Sequence, residues 1–117
     1  MNRKYPTGAQ RDSDNGKPKY TYLPFDVLDR VAKHLEIGAR KYGNYNYRLG
    51  MLSSDIEDSM QRHMVAYWKG KQDEDHLAAI IANALFLMFN EKYYADNQAI
   101  HDLPKLWQER NVMKGET

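Results

Sequence analysis

The chain has 117 residues, 42% hydrophobic and 28% charged, and its 17 basic and 16 acidic side chains leave a formal charge of +1. That length fits one domain with a thin core that self-association would supplement, and so balanced a charge excludes a polycation built to coat nucleic acid. The lack of cysteine excludes disulfides and thiolate metal sites, leaves oxygen and imidazole ligands for any metal, and points to a reducing cytoplasm.

The first 22 residues hold Pro6, Gly8, Gly16 and Pro18, few aliphatic side chains, and Arg3, Lys4, Arg11, Lys17 and Lys19 against Asp12 and Asp14. They read as an extended basic arm or loop, and no β-hairpin signal stands out. From Pro24 the pattern changes: Leu28, Val31, Leu35, Ala39 and Tyr42 recur every three or four residues, which predicts an amphipathic helix over about 25–42. Its opposite face carries Asp29, Lys33, Glu36 and Arg40. Residues 43–50, with two glycines, two asparagines and no acidic side chain, read as a basic, aromatic loop.

Ser54-Asp55-Ile56-Glu57 fits a capping box, opening a second helix whose stripe is Ile56, Met60, Met64 and Tyr67 and which Gly70 stops after about Lys69. Asp73, Glu74 and Asp75 suit the start of a third helix, about 75–95. Because Leu77 to Phe89 is apolar except at Asn83, that helix is expected to be buried nearly all round. Residues 100–110 read as a short last helix beginning near Pro104, ahead of a polar tail over 111–117. The expectation is an all-α small helical bundle, a single domain with an arm over 1–22 and a bundle over 23–110. The apolar stretch 77–89 falls short of the ~20 residues of a membrane span, and the polar start lacks the apolar region of a signal peptide, so a soluble, unexported protein is expected.

Four groups of residues are candidates for chemistry, each beside a plainer reading. Glu36 has Ala32, Gly38 and Ala39 around it and is open to a bulky ligand, or it is simply solvated. Asp55, Glu57 and Asp58 share one helical turn as cap and dipole residues, or Asp58 joins Glu36 in offering oxygen ligands to Mg²⁺ or Mn²⁺. His63 falls on the apolar side of its helix, as a hydrogen-bonded core residue, a ligand or a base. His76 and Asn83, seven apart, share a face and need a polar partner, which is another side chain, a substrate or a metal-bound water. Lys17 and the run from Arg40-Lys41 to Arg48 either hold phosphates or are solvated. No Walker-type loop, Gly-x-Ser-x-Gly or His-Glu-x-x-His occurs.

An ordered set of stretches carries a resemblance. It comprises Gly8-Ala9 to Arg11, Gly16-Lys17 to Tyr20, Leu23-Pro24, Glu36-x-Gly38-Ala39-Arg40-Lys41-Tyr42-Gly43 to Asn46-Tyr47, Asp58-x-x-x-Arg62-His63, Gly70 with Asp73 to Asp75, and His76-Leu77-Ala78 to Asn83-Ala84-Leu85. Together they resemble the phage-type, MazZ-like dATP/dGTP pyrophosphohydrolases of the all-α MazG-like superfamily.

The resemblance implies a Mg²⁺- or Mn²⁺-dependent enzyme that splits a purine deoxynucleoside triphosphate between the α- and β-phosphates, working as a homodimer or homotetramer in the cytoplasm, that of the infected bacterium if phage-encoded. It implies Glu36, Asp58 and Asp75 as metal ligands and Glu57 as a candidate base. Lys17, Lys41 and Arg62 would meet phosphate charge, Asn46 and Asn83 would position phosphate or sugar, and His63 and His76 would be ligands, substrate contacts or supports. The chain departs from the wider superfamily in lacking an intact Glu-x-x-Glu and Glu-x-x-Asp pair, and from closer relatives in having Ala79 and Tyr47 where histidine and tryptophan are common. Two rival readings are an HD-type triphosphohydrolase, from Arg62-His63 and Asp75-His76, and a small helical nucleic-acid-binding protein, from the basic arm and the six tyrosines in the first 47 residues. The first needs its central pair in the opposite order, and the second sits poorly with the balanced charge.

Overall fold

Pro24 lacks an amide proton, and its carbonyl accepts from Val27 and Leu28 at 3.0 and 2.9 Å, which starts helix α1, Phe25–Tyr42. The computed structural model describes residues 2–103. Gly43 ends α1 with φ near +96°, a conformation that favours glycine, and its amide donates back to Ala39 at 2.8 Å. A short 3₁₀ turn, Asn46–Leu49, then leads to α2, Ser53–Trp68, and α3 runs from His76 to Tyr93. α2 ends in a Schellman motif, with Gly70 donating to Tyr67 and Lys71 to Ala66. The architecture is the expected small helical bundle: α3 packs most extensively on α2 and then on α1.

The start of α2 differs from expectation. The helix opens at Ser53 and the capping box does not form; Asp102 instead accepts from the Ser54 amide at 2.8 Å and from its hydroxyl at 2.6 Å. A carboxylate from 48 residues downstream satisfies the orphan donor better than Glu57, which accepts from Gln61 at 3.4 Å. Around this cap the buried Asn90 donates to the Met51 carbonyl at 2.8 Å and to Ser53 Oγ at 3.0 Å, and His101 Nδ1 lies 2.7 Å from the same hydroxyl. Residues 94–103 thus fold back to brace α2; most of the last helix expected over 100–110, and the tail, lie outside the described residues.

Two further expectations are corrected. The arm carries a hairpin, β1 (Asn2–Lys4) antiparallel to β2 (Gln10–Asp12), with Arg3 opposite Arg11. Its turn follows from Pro6 and Gly8: Gly8, at φ +92°, donates to Tyr5, and Tyr5 donates to Ala9. Every residue of both strands is exposed, so the hydrophobic alternation that would advertise a hairpin is missing.

Nor is α3 buried all round. Ala78, Ala79, Ala82, Asn83 and Asn90 are inside, whereas Leu77, Ile81, Leu85 and Met88 form an exposed stripe one to three turns apart, Met88 at 62%. Among the described residues α1 and α2 pack on one side of α3 and leave this stripe uncovered, and the α3 residues near α1 and α2 are mostly small. The buried apolar set, Val31, Ile56 and three alanines, is correspondingly thin. No helix among the described residues is long and apolar enough to cross a membrane.

The loop after α1 owes its shape to packing. Tyr47 stacks on Phe86 and meets Phe89 edge-on, with ring centres 5.1 and 5.2 Å apart. Arg48 lies over the Tyr45 ring at 4.1 Å, and its carbonyl accepts from the Tyr94 hydroxyl. Gly50, at φ +97°, has a conformation that favours glycine, and a Cβ there would be crowded as well, 3.2 Å from the Ile100 side chain.

Candidate functional site

The connection between α2 and α3 is where chemistry-bearing side chains gather. The Gly70 turn reverses the chain so that His63, near the middle of α2, faces His76 at the first position of α3, with their Nδ1 atoms 2.9 Å apart. His76 is buried, and its Nε2 lies 2.8 Å from Asp73 Oδ1. Glu74, half exposed, places Oε1 3.9 Å from His63 Nδ1. One ligand atom each from His63, Glu74 and His76 falls within 4.8 Å of the others, the group of such donors that the described residues bring together.

The surroundings set the charge states. Burial pushes His63 below its ordinary value of 6.5, favouring the neutral ring, with Glu74 opposing and His76 reinforcing that shift. The hydrogen bond from His76 holds Asp73 below the usual carboxylate range. Asp75 caps α3, accepting from the Ala78 amide at 3.2 Å, and takes two hydrogen bonds from Arg30 of α1, at 2.9 and 2.7 Å. The Arg30 contact is the main reason its carboxyl stays ionised to lower pH.

Against this connection α1 forms one wall of an open cleft of about 600 Å³ lined by Asp29, Arg30, Lys33, His34, Ile37, Lys41, Asp73, Glu74 and Asp75. Lys33, Ile37 and Lys41 lie four residues apart on one face of α1, so two ammonium groups flank an apolar side chain opposite three carboxylates. A second hollow of about 510 Å³ lies along α2 and the following turn and includes Asp58, Arg62, Lys69 and Lys71.

The residues singled out from sequence are therefore divided. Lys41 and Asp75 line the first cleft, and Asp58 and Arg62 the second. His63 and His76 meet each other. Glu36 is exposed and held by Arg40 at 2.6 Å, one helical turn on, which lowers its pKa. Among the described residues Glu36, Asp58 and Asp75 are not gathered to ligand spacing within this chain: Glu36 is paired with Arg40, Asp75 with Arg30, and Asp58 lies in the second hollow. Asn83 has protein partners, the Ala79 carbonyl at 3.0 Å and Ser59 Oγ at 3.4 Å. Asn46 opens the 3₁₀ turn, and Lys17 lies in the arm, its amide bonded to Asp14.

Reading the sequence missed Arg30, Lys33, His34 and Glu74. For Lys33 the signal was available in its shared spacing with Ile37 and Lys41. Asn90 was missed too, although it continues the seven-residue spacing of His76 and Asn83.

A family model for the N-terminal region of dATP/dGTP diphosphohydrolases matches residues 7–99, which run from within the hairpin turn through α1, α2 and α3 and take in both hollows. The chain belongs to the dATP/dGTP diphosphohydrolase family. No curated protein and no solved structure matches it. The match takes in the whole cleft of this diphosphohydrolase family member, from Asp29 on α1 to Asp75 before α3.

Proposed function

We propose that this chain hydrolyses dATP and dGTP between the α- and β-phosphates, releasing pyrophosphate and the purine monophosphate, in a reaction that needs a divalent ion. The observation that carries the reading is the family match over 7–99; the cleft beside α1 supplies a place with suitable chemistry. A triphosphate brings several negative oxygens, and Arg30, Lys33 and Lys41 line one side of that cleft. Lys33 and Lys41 lie two turns apart, about 12 Å along the helix axis, so their flexible side chains can both lean toward a triphosphate held between them. A divalent ion, when bound, neutralises phosphate charge and lowers the pKa of a coordinated water. Across the cleft from the lysines the half-exposed Glu74 carboxylate supports this reading, as an oxygen donor that such an ion would accept near the phosphates.

The same proposal includes self-association. The stripe of Leu77, Ile81, Leu85 and Met88 on α3, next to a thin core, is the natural seam between two copies.

Incubation with each of the four dNTPs in Mg²⁺ and in Mn²⁺, with products identified by phosphorus NMR, tests the reaction. Pyrophosphate with dAMP or dGMP supports it. Intact triphosphate points to the HD-type reaction, and no turnover of any nucleotide refutes the proposal.

A further inference from the structure

We infer that His63, His76 and Glu74 form a binding centre for a first-row transition-metal ion, with Asp73 as the residue that orients His76. Asp73 accepts the Nε2 proton of His76 at 2.8 Å, which selects the tautomer whose Nδ1 is bare. That lone pair points at His63 Nδ1, 2.9 Å away. Neighbouring ligands on an ion with bonds of about 2.0–2.1 Å stand about 2.9–3.4 Å apart, so the two nitrogens already have the separation of a chelate. Glu74 closes the third side with a carboxylate that is half exposed and whose approach to His63, at 3.9 Å, leaves room for an ion between them.

The carboxylate behind His76 repeats the arrangement that fixes ring orientation and raises ligand basicity in metal sites. Burial supports it from the other side, because His76 is 6% exposed and has little freedom to turn away. A hydrogen bond between the two rings alone would account for the 2.9 Å contact, but it would not bring Glu74 toward the same point. Two imidazoles and one carboxylate favour ions from Mn²⁺ to Zn²⁺ over Mg²⁺, which prefers an all-oxygen shell. Three protein ligands would leave coordination positions for water or phosphate. Service to the hydrolysis rests on the function proposed above; binding of the ion does not.

The test is titration of the full chain with Co²⁺ in the absence of nucleotide, read by visible absorption and by paramagnetically shifted proton NMR signals. The expected result is one ion per chain, with a shifted exchangeable proton from the His76 Nε2–H that Asp73 retains. His63→Ala and His76→Ala should weaken binding about 100-fold or abolish it, and Asp73→Asn should weaken it about 10- to 100-fold. Asp96→Asn, in the exposed loop after α3, should leave it unchanged. The wild-type NMR signature carries the result even where a variant fails to fold. Co²⁺ binding that survives both histidine substitutions, or binding lost only on replacing Glu36 or Asp58, overturns the centre. Pyrophosphate release without ion binding at the histidines removes the centre and leaves the reaction standing; ion binding without turnover of any nucleotide does the reverse.

Discussion

Each end of the α2–α3 pair carries a histidine network, and the two differ in how completely the chain closes them. At one end Ser53, Asn90, His101 and Asp102 lock the start of α2 to the segment behind α3, and the Asn90 and Ser53 side chains are among the most deeply buried in the molecule. At the other end His63, Asp73, Glu74 and His76 are only partly enclosed: His76 is buried, while the carboxylates of Asp73 and Glu74 are 67% and 52% exposed. A polar network satisfied inside the chain adds rigidity, whereas one that keeps carboxylates open to solvent beside a cleft has capacity left for a ligand. Histidine is therefore no guide to function by itself; the exposure of its partners separates the two roles.

Substitutions can break this contrast. The largest effect is expected on the open side, in the cleft. Replacing Lys33 and Lys41 together with alanine should, on the proposed reaction, reduce kcat/KM for dGTP by about 100-fold or more, because charge placed to meet the triphosphate would be removed. Thermal unfolding should change little, since both side chains are exposed. Equal losses of activity and stability would dissolve the distinction between the two ends.

On the closed side the order reverses. Asn90→Ala strands the Met51 carbonyl and Ser53 and leaves a small void, and should cost about 2–3 kcal/mol in urea unfolding while the folded fraction keeps its turnover. Asp102→Ala removes the cap of α2 and should cost about 1 kcal/mol.

The α3 stripe offers another test. Ile81→Glu with Leu85→Glu should turn a dimer or larger assembly into monomers by light scattering. A wild-type chain already monomeric at high concentration would sink the seam.

The smallest effect sharpens the comparison through pH. His63 has a folded pKa below its ordinary value of 6.5, so the unfolded chain takes up protons first as pH falls, and stability declines below about pH 6.5. Asp102 is also depressed, by its hydrogen bonds from Ser54, so its contribution is present above the carboxylate range and is lost below about pH 4. The urea midpoint should fall in these two steps, the first flattened by His63→Gln and the second reduced by Asp102→Asn, with Glu36, Asp73 and Asp75, also depressed, contributing to the rest. A first step unchanged in His63→Gln would remove that histidine from the account.

Much of the local structure was legible. The three-and-four spacing from Leu28 to Tyr42 placed α1, and Gly43 and Gly70 stopped their helices through the positive φ that a C-terminal turn requires. Asp75 capped α3 as its position foretold. The hairpin escaped notice because its strands bury nothing, and the Asp102 cap because a partner 48 residues away leaves no local pattern. The site was only half legible. His63 and His76 stood out as polar residues on apolar faces, but Glu74 looked like one more acid before a helix.

What the sequence determined by itself are features that depend on neighbours within about a turn: helix periods, glycine stops, the acidic start of α3 and the cysteine-free ligand chemistry. Only the tertiary structure decided which of two possible carboxylates caps α2, which face of α3 stays uncovered, and that His63, Glu74 and His76 converge while Glu36, Asp58 and Asp75 do not. Hydrogen-bond geometry and burial depend on distances between elements, and the chain fixes those distances only when α2 and α3 pack about the Gly70 turn.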